Sequence, residues 1–449
     1  HCVIRRWREI ERWIENKAGT VRTSGFPVLP LIDVVVPRHE PVRVDGVLGD
    51  WQAITIKFSG EVLPRERTEA FKGAMFAAYP GDLAFSKIDA RNGAVGLIPS
   101  SIPKAVVTSE YPVFTPRADK LRPDYLHHLL RAEHFKADLQ RKASGTSGRK
   151  RVTPEGFLSL EIPVPTLDEQ EALVTAYTDA LSLAARLEQE AETIEQAGWQ
   201  AFETALGLAP PPPLPDRPVF VARFKDMERW SHEGILRSGL QMPASVGGVT
   251  MVPLGQRSKV SYGIQKCPAN RPAVHARPYL RVANVQRGEL DLREIKYINV
   301  PDEEMPKLRL EVGDVLLCEG NSPDLVGRGA IWCGEIEDCV HQNHVLRVRV
   351  DRARLLPEFV LAVISSSHGQ AYFRSKAKRT TNLASINSKE VAGLPVPELS
   401  LTRQQDVLDS LNSQVQSAQS KRTAAITQRH SAWTTFESAL FTASEETAA

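Results

Sequence analysis

Two long stretches of the chain place apolar residues at steps of three and four positions, which is the spacing of a helix face that packs against another helix. The first stretch contains no Gly or Pro between Thr166 and Gly198. A helix over Asp168–Leu206 would have 39 residues and a length of about 58 Å at ~1.5 Å per residue. Gly207 and the run Pro210–Pro213 predict its end. Its packing positions are Leu173, Tyr177, Ala180, Ala184, Leu187, Ala191, Ile194 and Ala201.

The second stretch has the same spacing but a weaker apolar face, because Arg422 and Arg429 fall on it. Helices of this length are marginal alone and should pack together. The prediction is one antiparallel pair within the chain. A dimerisation coiled coil between two chains is the alternative. The packing positions of the second stretch are Leu408, Leu411, Val415, Ala418, Ala425, Ala432, Phe436 and Ala439.

A long internal repeat contains both stretches, and it favours the pair within one chain, which supplies both halves. GDLAFSKIDARNGAVGLIP begins at Gly81, and GDVLLCEGNSPDLVGRGAIW begins 232 positions later at Gly313. In each copy a β-rich stretch leads to a short helix, a basic loop, a Pro-x-Pro turn and a long helix. The other matches are Pro163 with Pro395, at the same offset, and Trp199 with Trp433, at 234.

Alternating apolar and turn residues over Ala74–Ile98 predict short strands, as do PYLRVANVQRGELDLREIKYINV and HVLRVRV in the second copy. The predicted fold is therefore α+β, with two pseudo-repeated α/β lobes joined by two long antiparallel coiled-coil helices. The predicted boundaries are a first lobe at 1–166, a helical segment at 167–209, a Pro-rich linker and lead-in at 210–250, a second lobe at 251–398, a helical segment at 399–442 and a tail at 443–449.

Composition places the chain among soluble globular proteins, with 42% hydrophobic and 24% charged residues. A net charge of only +2 over 449 residues means that any nucleic-acid contact must come from local patches. The sequence shows no signal peptide and no apolar run of membrane-spanning length. The five cysteines are an odd number, so we expect a reduced, cytoplasmic protein.

Two acid-free basic stretches occupy equivalent positions of the repeat, around SGTSG in the first copy and before TTN in the second. Gly, Ser and Thr allow close backbone approach, and Lys and Arg pair with phosphate oxygens. A solvated surface is the alternative for each stretch alone. The predicted phosphate contacts are Arg141, Lys142, Arg149, Lys150, Arg151, Arg374, Lys376, Lys378 and Arg379.

Base reading requires long polar side chains in loops, above all Arg for guanine and Asn or Gln for adenine. The copies differ most in such residues, which suits two readers of different sequences on one frame. The candidates in the first copy are Arg65, Arg67, Lys72, Arg91 and Asn92. The candidates in the second copy are Gln265, Lys266, Asn270, Arg271, Asn284, Gln286, Arg287, Asn321 and Arg328.

Motifs of catalysis are not visible in either copy. The sequence has no GxxxxGK[ST] loop, no strand-anchored GxGxxG and no GxSxG elbow. Cys333, Cys339, His341 and His344 are candidates for a zinc site, but five residues separate the cysteines and a continuous strand would put the histidines on opposite faces. We expect no metal site here and no enzyme.

The order and duplication of several motifs resemble the specificity subunits of type I restriction–modification systems. They are the GD-x-L/V-x-F/L strand, YLRVANVQRGELDL, GRGAIW, HQNHVLRVR and PVPTLDEQEALV, and the resemblance extends from about Val28 to Phe441. It implies two target-recognition domains that each read one half of a split DNA site. The helices would separate these domains as a spacer and would dock adenine methyltransferase (modification) subunits.

The same resemblance implies that S-adenosylmethionine, ATP and Mg²⁺ bind to partner subunits, including a restriction subunit, and none to this chain. Docking would involve Glu169 and Gln170 at the first helix start and Arg403 and Gln404 at the second. Because Arg403 replaces Glu169, the two docking sites would be unequal. The alternatives are a DNA-recognition subunit of another methylation-based defence system, a two-lobed protein-interaction scaffold and, last, a cryptic enzyme.

Overall fold

The computed structural model describes residues 24–43, 48–66, 74–143, 150–208, 245–246, 249–321, 326–379 and 384–441. These residues form two compact units. The first unit contains the described residues up to 188 together with 423–441, and the second contains those of 189–422. Each unit therefore includes the beginning of one long helix and the end of the other.

Short strands and helices make up the first unit. The strands are β1 (Val28–Pro30), β2 (Val35–Arg38), β3 (Pro41–Val42), β4 (Gln52–Ile56), β5 (Val62–Pro64), β6 (Met75–Ala78), β7 (Leu83–Phe85), β8 (Val95–Leu97), β9 (Ala105–Thr108), β10 (Val113–Pro116) and β11 (Glu161–Pro163). The helices are α1 (Pro123–Leu129), α2 (Glu133–Lys142) and α3 (Pro154–Leu158), with 3₁₀ turns at Leu31–Asp33 and Ala90–Asn92. The long helix α4 (Leu167–Ala205) follows.

The second unit also consists of short strands and helices. Its strands are β12 (Ser245–Val246), β13 (Val249–Pro253), β14 (Ser258–Ser261), β15 (Ala276–Leu280), β16 (Lys296–Asn299), β17 (Val315–Cys318), β18 (Gly320–Asn321), β19 (Gly329–Ile331), β20 (Val340–His341), β21 (Val345–Val350), β22 (Lys378–Arg379), β23 (Ala384–Ser385) and β24 (Pro395–Pro397). Its helices are α5 (Met305–Leu308), α6 (Pro357–Ser365), α7 (Ser367–Lys376) and α8 (Ser388–Ala392), followed by the long α9 (Leu401–Leu440).

A shared scaffold recurs in both units, as the sequence repeat predicts. The sheet β2-β10-β7-β8 of the first unit corresponds to β14-β21-β17-β19 of the second, and the pair β1-β11 corresponds to β13-β24. Helices α1–α3 correspond to α6–α8 in chain order, and both α1 and α6 begin with a proline, which is preorganised for a first helical position. The predicted α+β class with its pair of long helices is confirmed.

The remaining sheets differ between the units. The first unit adds the five-stranded sheet β3-β6-β9-β4-β5, in which β4 and β9 are parallel. The second adds the three-stranded sheet β16-β15-β20 and the small sheet β18-β23-β22. We call β3-β6-β9-β4-β5 and β16-β15-β20 the unit-specific sheets. One scaffold thus carries two different additions.

The GD pair opens the central strand of each scaffold with the same turn. Gly81 and Gly313 have φ of 86° and 89°, a backbone conformation that favours glycine. The carboxylate of Asp314 is buried and accepts hydrogen bonds from the backbone N–H of Glu311 (2.8 Å) and from the Nε of Arg349 (2.7 Å). A buried carboxylate is tolerated only when it is paired in this way.

Asp82 of the first unit is equally buried but takes its cation from another strand. Its carboxylate accepts from the Nε of Arg38 (2.7 Å), the Oγ1 of Thr115 (2.7 Å) and the backbone N–H of Tyr79 (2.9 Å). Arg38 lies on β2, whereas the arginine that serves Asp314 lies on β21. The two copies therefore keep the acid and its turn, while the compensating arginine has moved.

Gln170 and Gln404 make equivalent hydrogen bonds to the backbone at the starts of the two long helices, and we call each set of bonds a latch. Gln170 is fully buried; its Oε1 accepts from the N–H of Arg122 (2.8 Å) and its Nε2 donates to the carbonyls of Lys120 and Pro165 (both 2.8 Å). These bonds tie the helix start to the loop before α1. Because the polar atoms are all engaged inside the fold, the Gln170 side chain cannot contact a partner.

Gln404 repeats the arrangement in the second unit. It is fully buried; its Oε1 accepts from the N–H of Leu356 (2.9 Å) and its Nε2 donates to the carbonyls of Arg354 (2.8 Å) and Leu399 (2.9 Å). The prediction that these two glutamines dock another subunit is corrected: they hold each helix to its own unit.

The neighbouring Glu169 is exposed and closes a capping box at the start of α4. Its Oε2 accepts from the backbone N–H of Thr166 (2.8 Å), and the Thr166 Oγ1 accepts from the N–H of Glu169 (3.4 Å). At α9 the Oγ of Ser400 accepts from the N–H of Arg403 (3.3 Å), but an arginine cannot return the second bond. The Glu169/Arg403 difference thus changes a helix cap, and docking at these two exposed residues stays a prediction.

The long helices pack antiparallel within each unit, and the basic residues on the predicted face have acidic partners on α4. In the first unit Arg429 pairs with Glu188, with NH2 and Oε2 2.6 Å apart. In the second unit Arg422 pairs with Glu195, and the Nζ of Lys421 lies 2.6 Å from a carboxylate oxygen of Glu190. Ion pairs that remain in part open to solvent add little stability, but three of them at matching positions favour one register of the helices.

Half of the sixteen predicted packing positions are buried, including Ala184 and Ala425 at 0% exposure, and six more are half-buried. The prediction is wrong near the helix ends: Ala201 and Ala439 are exposed. Phe202 and Leu440, the next residues along, are buried instead. A straight helix has 3.6 residues per turn, so a fixed seven-residue repeat drifts off the contact line over many turns.

Gly198 marks a close approach between the helices. A Cβ added there would lie 2.7 Å from the Cβ of Gln414 and 3.8 Å from a methyl carbon of Leu411. Real Cβ contacts essentially never come this close, so the sequence needs a residue without a side chain at this point.

We expect Gly198→Ala to lower the free energy of unfolding by up to about 2 kcal/mol. Overpacking costs about 1–3 kcal/mol, which exceeds the ~1 kcal/mol that alanine gains in helix propensity. Urea denaturation of the single variants and of Gly198→Ala/Gln414→Gly gives a double-mutant cycle, in which removal of the Gln414 Cβ should restore stability. A variant as stable as the original chain would contradict the close approach.

Gln404→Leu should lower the free energy of unfolding by about 2 kcal/mol, because it leaves one N–H and two carbonyls without partners in a half-buried position, and each such group costs about 1–3 kcal/mol when it is fully buried. The matched control is the adjacent exposed Arg403→Ala, which should change stability by no more than about 0.5 kcal/mol. Thermal and urea unfolding measure both. Equal effects of the two substitutions would rule out the latch.

Candidate nucleic-acid interface

The two basic stretches begin at the end of a helix and return to the same strand end in each scaffold. In the first unit the N–H of Val152 donates to the carbonyl of Lys87, just after β7, at 2.8 Å. In the second unit the N–H of Ile386 donates to the carbonyl of Glu319, just after β17, also at 2.8 Å. These bonds occupy equivalent repeat positions, so both units present their basic stretch at the same place.

The first two cations of the first stretch have partners within the chain, one of them an acid on the same helix. Arg141 and Lys142 lie in the last turn of α2 rather than in a loop, where cations interact favourably with the helix dipole. Arg141 pairs with Asp138, and the Nζ of Lys142 donates to the Oγ of Ser159 at 2.8 Å. The uncompensated charge at this point is smaller than the sequence indicates.

Lys150 and Arg151 follow the stretch on its return to β7. Both residues are exposed. The NH2 of Arg151 lies 3.3 Å from a carboxylate oxygen of Glu110. Arg149 lies outside the described residues.

In the second stretch, Arg374 and Lys376 lie in the last turn of α7. Lys378 and Arg379 form β22, paired with Ser385 and Ala384 of β23, and their side chains lie outside what the structure describes. This places the main chain of both residues beside the anchoring bond at Ile386.

The predicted base contacts of the first unit divide by exposure. Arg65 is exposed just after β5, and Asn92 is exposed on the 3₁₀ turn that follows β7, its Nδ2 3.3 Å from the Oδ1 of Asp89. Arg91, on the same turn, is half-buried. Arg67 and Lys72 lie outside the described residues.

In the second unit, Gln265, Lys266 and Arg271 are exposed on one loop. The Nδ2 of Asn270 donates to the carbonyl of Gln265 at 2.9 Å and shapes this loop. Arg287 is exposed on a separate turn. All five remain available as predicted base contacts or as supports for them.

Asn284 is not available, and the prediction for it is corrected. Its side chain is 2% exposed, accepts from the N–H of Arg281 (2.9 Å) and donates to the carbonyls of Asp291 (2.8 Å) and Glu294 (3.0 Å). A buried amide that satisfies the backbone in this way is a structural residue.

Gln286 and Arg328 contact each other beside β17. The NH1 of Arg328 donates to the Oε1 of Gln286 at 3.1 Å, and its NH2 donates to the carbonyl of Val282 at 3.1 Å. Asn321 lies in β18, and its side chain is outside the described part of the chain. Arg328 and Gln286 therefore support the turn that presents Arg287.

The two histidines of the candidate metal site do not lie on one strand, because β20 ends at His341 and His344 precedes β21. His341 is fully buried, and burial lowers the pKa of its imidazole to about 4. Burial also raises the pKa of the Cys339 thiol to about 12. His344 is exposed, with its Nδ1 2.6 Å from a carboxylate oxygen of Glu319. Among the described residues, no three His, Cys, Asp or Glu side chains are grouped to hold a metal ion.

Sequence reasoning missed the acids Asp138, Glu110 and Glu319 at this interface. Glu110 lies 41 positions before Arg151, and no local pattern links the two.

In the described part of the chain, no helix is both long and apolar enough to span a bilayer.

Comparison with known proteins gives relatives of one kind. No protein-family model matches the chain. It is 26% identical over 136 residues to the putative type I restriction enzyme MjaX specificity subunit of Methanocaldococcus jannaschii, covering 30% of this chain and 32% of that protein. It is 22% identical over 286 residues to the type I restriction enzyme EcoKI specificity subunit of Escherichia coli K12, covering 60% and 55%. The matches thus span about a third and about half of these relatives.

Among solved structures, the HsdS subunit from Thermoanaerobacter tengcongensis matches with a TM-score of 0.52 at 16% identity, covering 93% of this chain and 96% of that one. At this identity the match shows a common fold. The chain is therefore related in sequence to type I restriction enzyme specificity subunits and shares the fold of a solved HsdS subunit.

Proposed function

We propose that this chain is the DNA-recognition subunit of a type I restriction–modification complex and that it reads a two-part, asymmetric DNA site. One observation carries the proposal: two copies of one scaffold present a basic stretch at the same strand end, beside unit-specific sheets that differ. Phosphate contacts fix the position of a protein on DNA, whereas base contacts specify the sequence. A shared phosphate-binding frame with different base readers recognises two different half-sites.

Catalysis belongs to the partners in this proposal. Adenine methyltransferase subunits with bound S-adenosylmethionine modify the site, and a restriction subunit uses ATP and Mg²⁺. The exposed helix starts at Glu169 and Arg403 are the proposed docking positions on this chain. The long helices, each about 58–60 Å at ~1.5 Å per residue, are proposed to set the gap between the half-sites.

The direct test is a genome-wide map of methylated adenines after co-expression with the methyltransferase subunit from the same source. Methylation should be confined to a two-part motif with a fixed gap. Arg91→Ala/Asn92→Ala should relax one half of the motif, and Arg287→Ala should relax the other half. An assembled complex that methylates nothing would favour the scaffold alternative.

Lys150→Ala/Arg151→Ala should weaken binding to all DNA sequences and reduce the salt dependence of binding by 1 to 2 in the slope of log K against log salt, since each phosphate contact contributes about 0.9. The lower bound applies if Glu110 already neutralises Arg151. Fluorescence anisotropy of the assembled complex at several salt concentrations measures both quantities.

The matched control is Arg117→Ala/Lys120→Ala, which removes the same charge from two exposed residues. These residues follow the end of β10, whereas Glu110, the partner of Arg151, precedes its start. This control should leave the salt slope unchanged. A change in sequence preference alone, or an equal effect of the control, would contradict the phosphate role of Lys150 and Arg151.

A further inference from the structure

The hairpin β4–β5 of the first unit carries an exposed aromatic side chain at its tip. Phe58 is 61% exposed, although Phe is a residue that most often lies in a core. The turn is closed by two backbone bonds of 2.9 Å, from the N–H of Lys57 to the carbonyl of Glu61 and from the N–H of Gly60 to the carbonyl of Lys57. The main chain around the ring is therefore fixed.

Close backbone packing holds this tip against β8 of the shared scaffold. A Cβ added to Gly93 would collide with the carbonyl oxygen of Phe58, and one added to Gly96 would lie 2.5 Å from the carbonyl oxygen of Gly60. Both positions need glycine so that the hairpin can lie directly on the strand. An aromatic ring on a fixed main chain has only two side-chain torsions to order, so it loses little conformational entropy when it binds.

Cationic and polar residues surround the same point. Gly93 directly follows the 3₁₀ turn that bears Arg91 and Asn92, and the Cε of Lys136 lies 3.8 Å from the position of a Cβ at Gly93. Lys57 is exposed beside Phe58 and pairs with Glu61 at 3.0 Å. An apolar ring among cations and amides matches a DNA groove, where phosphates flank the base edges.

Among the described residues of the second unit, whose unit-specific sheet is β16-β15-β20, no hairpin corresponds to β4–β5. A surface that docks the same kind of subunit on both copies would be expected to recur in both. A residue that reads one half-site would not. The position of Phe58 on a unit-specific sheet therefore favours DNA over a protein partner.

We propose that Phe58 makes an apolar contact with bases of the half-site read by the first unit and contributes to its sequence preference. This inference rests on the proposed function. Aromatic side chains contact DNA either through the thymine methyl group or by insertion between neighbouring base pairs. Both contacts use the same apolar ring, and the experiment separates them.

The experiment measures binding of the assembled complex, with its methyltransferase, to the two-part motif identified by the methylation map and to unrelated DNA. Phe58→Ala should weaken binding to the motif about tenfold, on the scale of one mismatched base pair, and leave binding to unrelated DNA unchanged. Phe58→Leu should lose less, because it keeps an apolar side chain. The control is Ile32→Ala, which truncates a comparably exposed (55%) apolar residue of the same unit and should bind as the original chain does.

Two substituted DNAs distinguish the modes of contact. Replacement of thymine by uracil at one position should weaken the original complex but not Phe58→Ala if the ring contacts a methyl group. A rise in 2-aminopurine fluorescence that Phe58→Ala abolishes would instead show insertion. Either result supports the base contact.

Other outcomes overturn the proposal. If the original complex prefers its motif and Phe58→Ala binds equally well, the base contact is wrong while the proposed function stands. If Phe58→Ala impairs assembly with the methyltransferase but not DNA binding of the assembled fraction, the ring is a protein contact. If the original complex shows no motif preference, the proposed function fails, and this inference fails with it.

Discussion

The antiparallel pairing of the long helices is the constraint on which the rest of the structure depends, because each unit is completed by a helix that begins in the other. Phe436, near the end of α9, lies in the core of the first unit with its ring centroid 6.3 Å from that of Tyr125. Phe202, near the end of α4, lies in the core of the second unit with its ring centroid 6.3 Å from that of Phe359. Truncation of either helix would open a core as well as remove a helix contact.

Buried polar residues define where each helix meets its scaffold. Apolar packing is tolerant of small shifts, whereas a glutamine that satisfies three backbone groups has one acceptable position. Gln170 and Gln404 therefore fix the helix starts, and the buried carboxylates of Asp82 and Asp314 fix the central strands. The scaffold can then carry different sheets without loss of its own geometry, as the two units demonstrate.

The sequence was sufficient to predict the helices and the repeat because both depend on local periodicity. Helix α4 has the predicted length, displaced by one residue. The roles of Gln170 and Gln404 could not be predicted, since their hydrogen-bond partners include backbone groups of loops remote in sequence. Asn284 bonds within its own neighbourhood, but to an irregular turn that no periodic pattern identifies. The unit-specific sheets were missed for the same reason: β4 pairs in parallel with the distant β9, and no local pattern specifies that partner.

The exchange of helix ends also has a consequence for the origin of such a chain. A protein of half this length, with one scaffold and one long helix, would leave its core open and its helix without a partner. Two identical copies would each supply the element that the other lacks, so the half-length protein should form a two-fold symmetric homodimer. Duplication of that gene and fusion of the two copies would then allow each half to diverge. The ancestral two-fold relation would remain recognisable only in the shared scaffold.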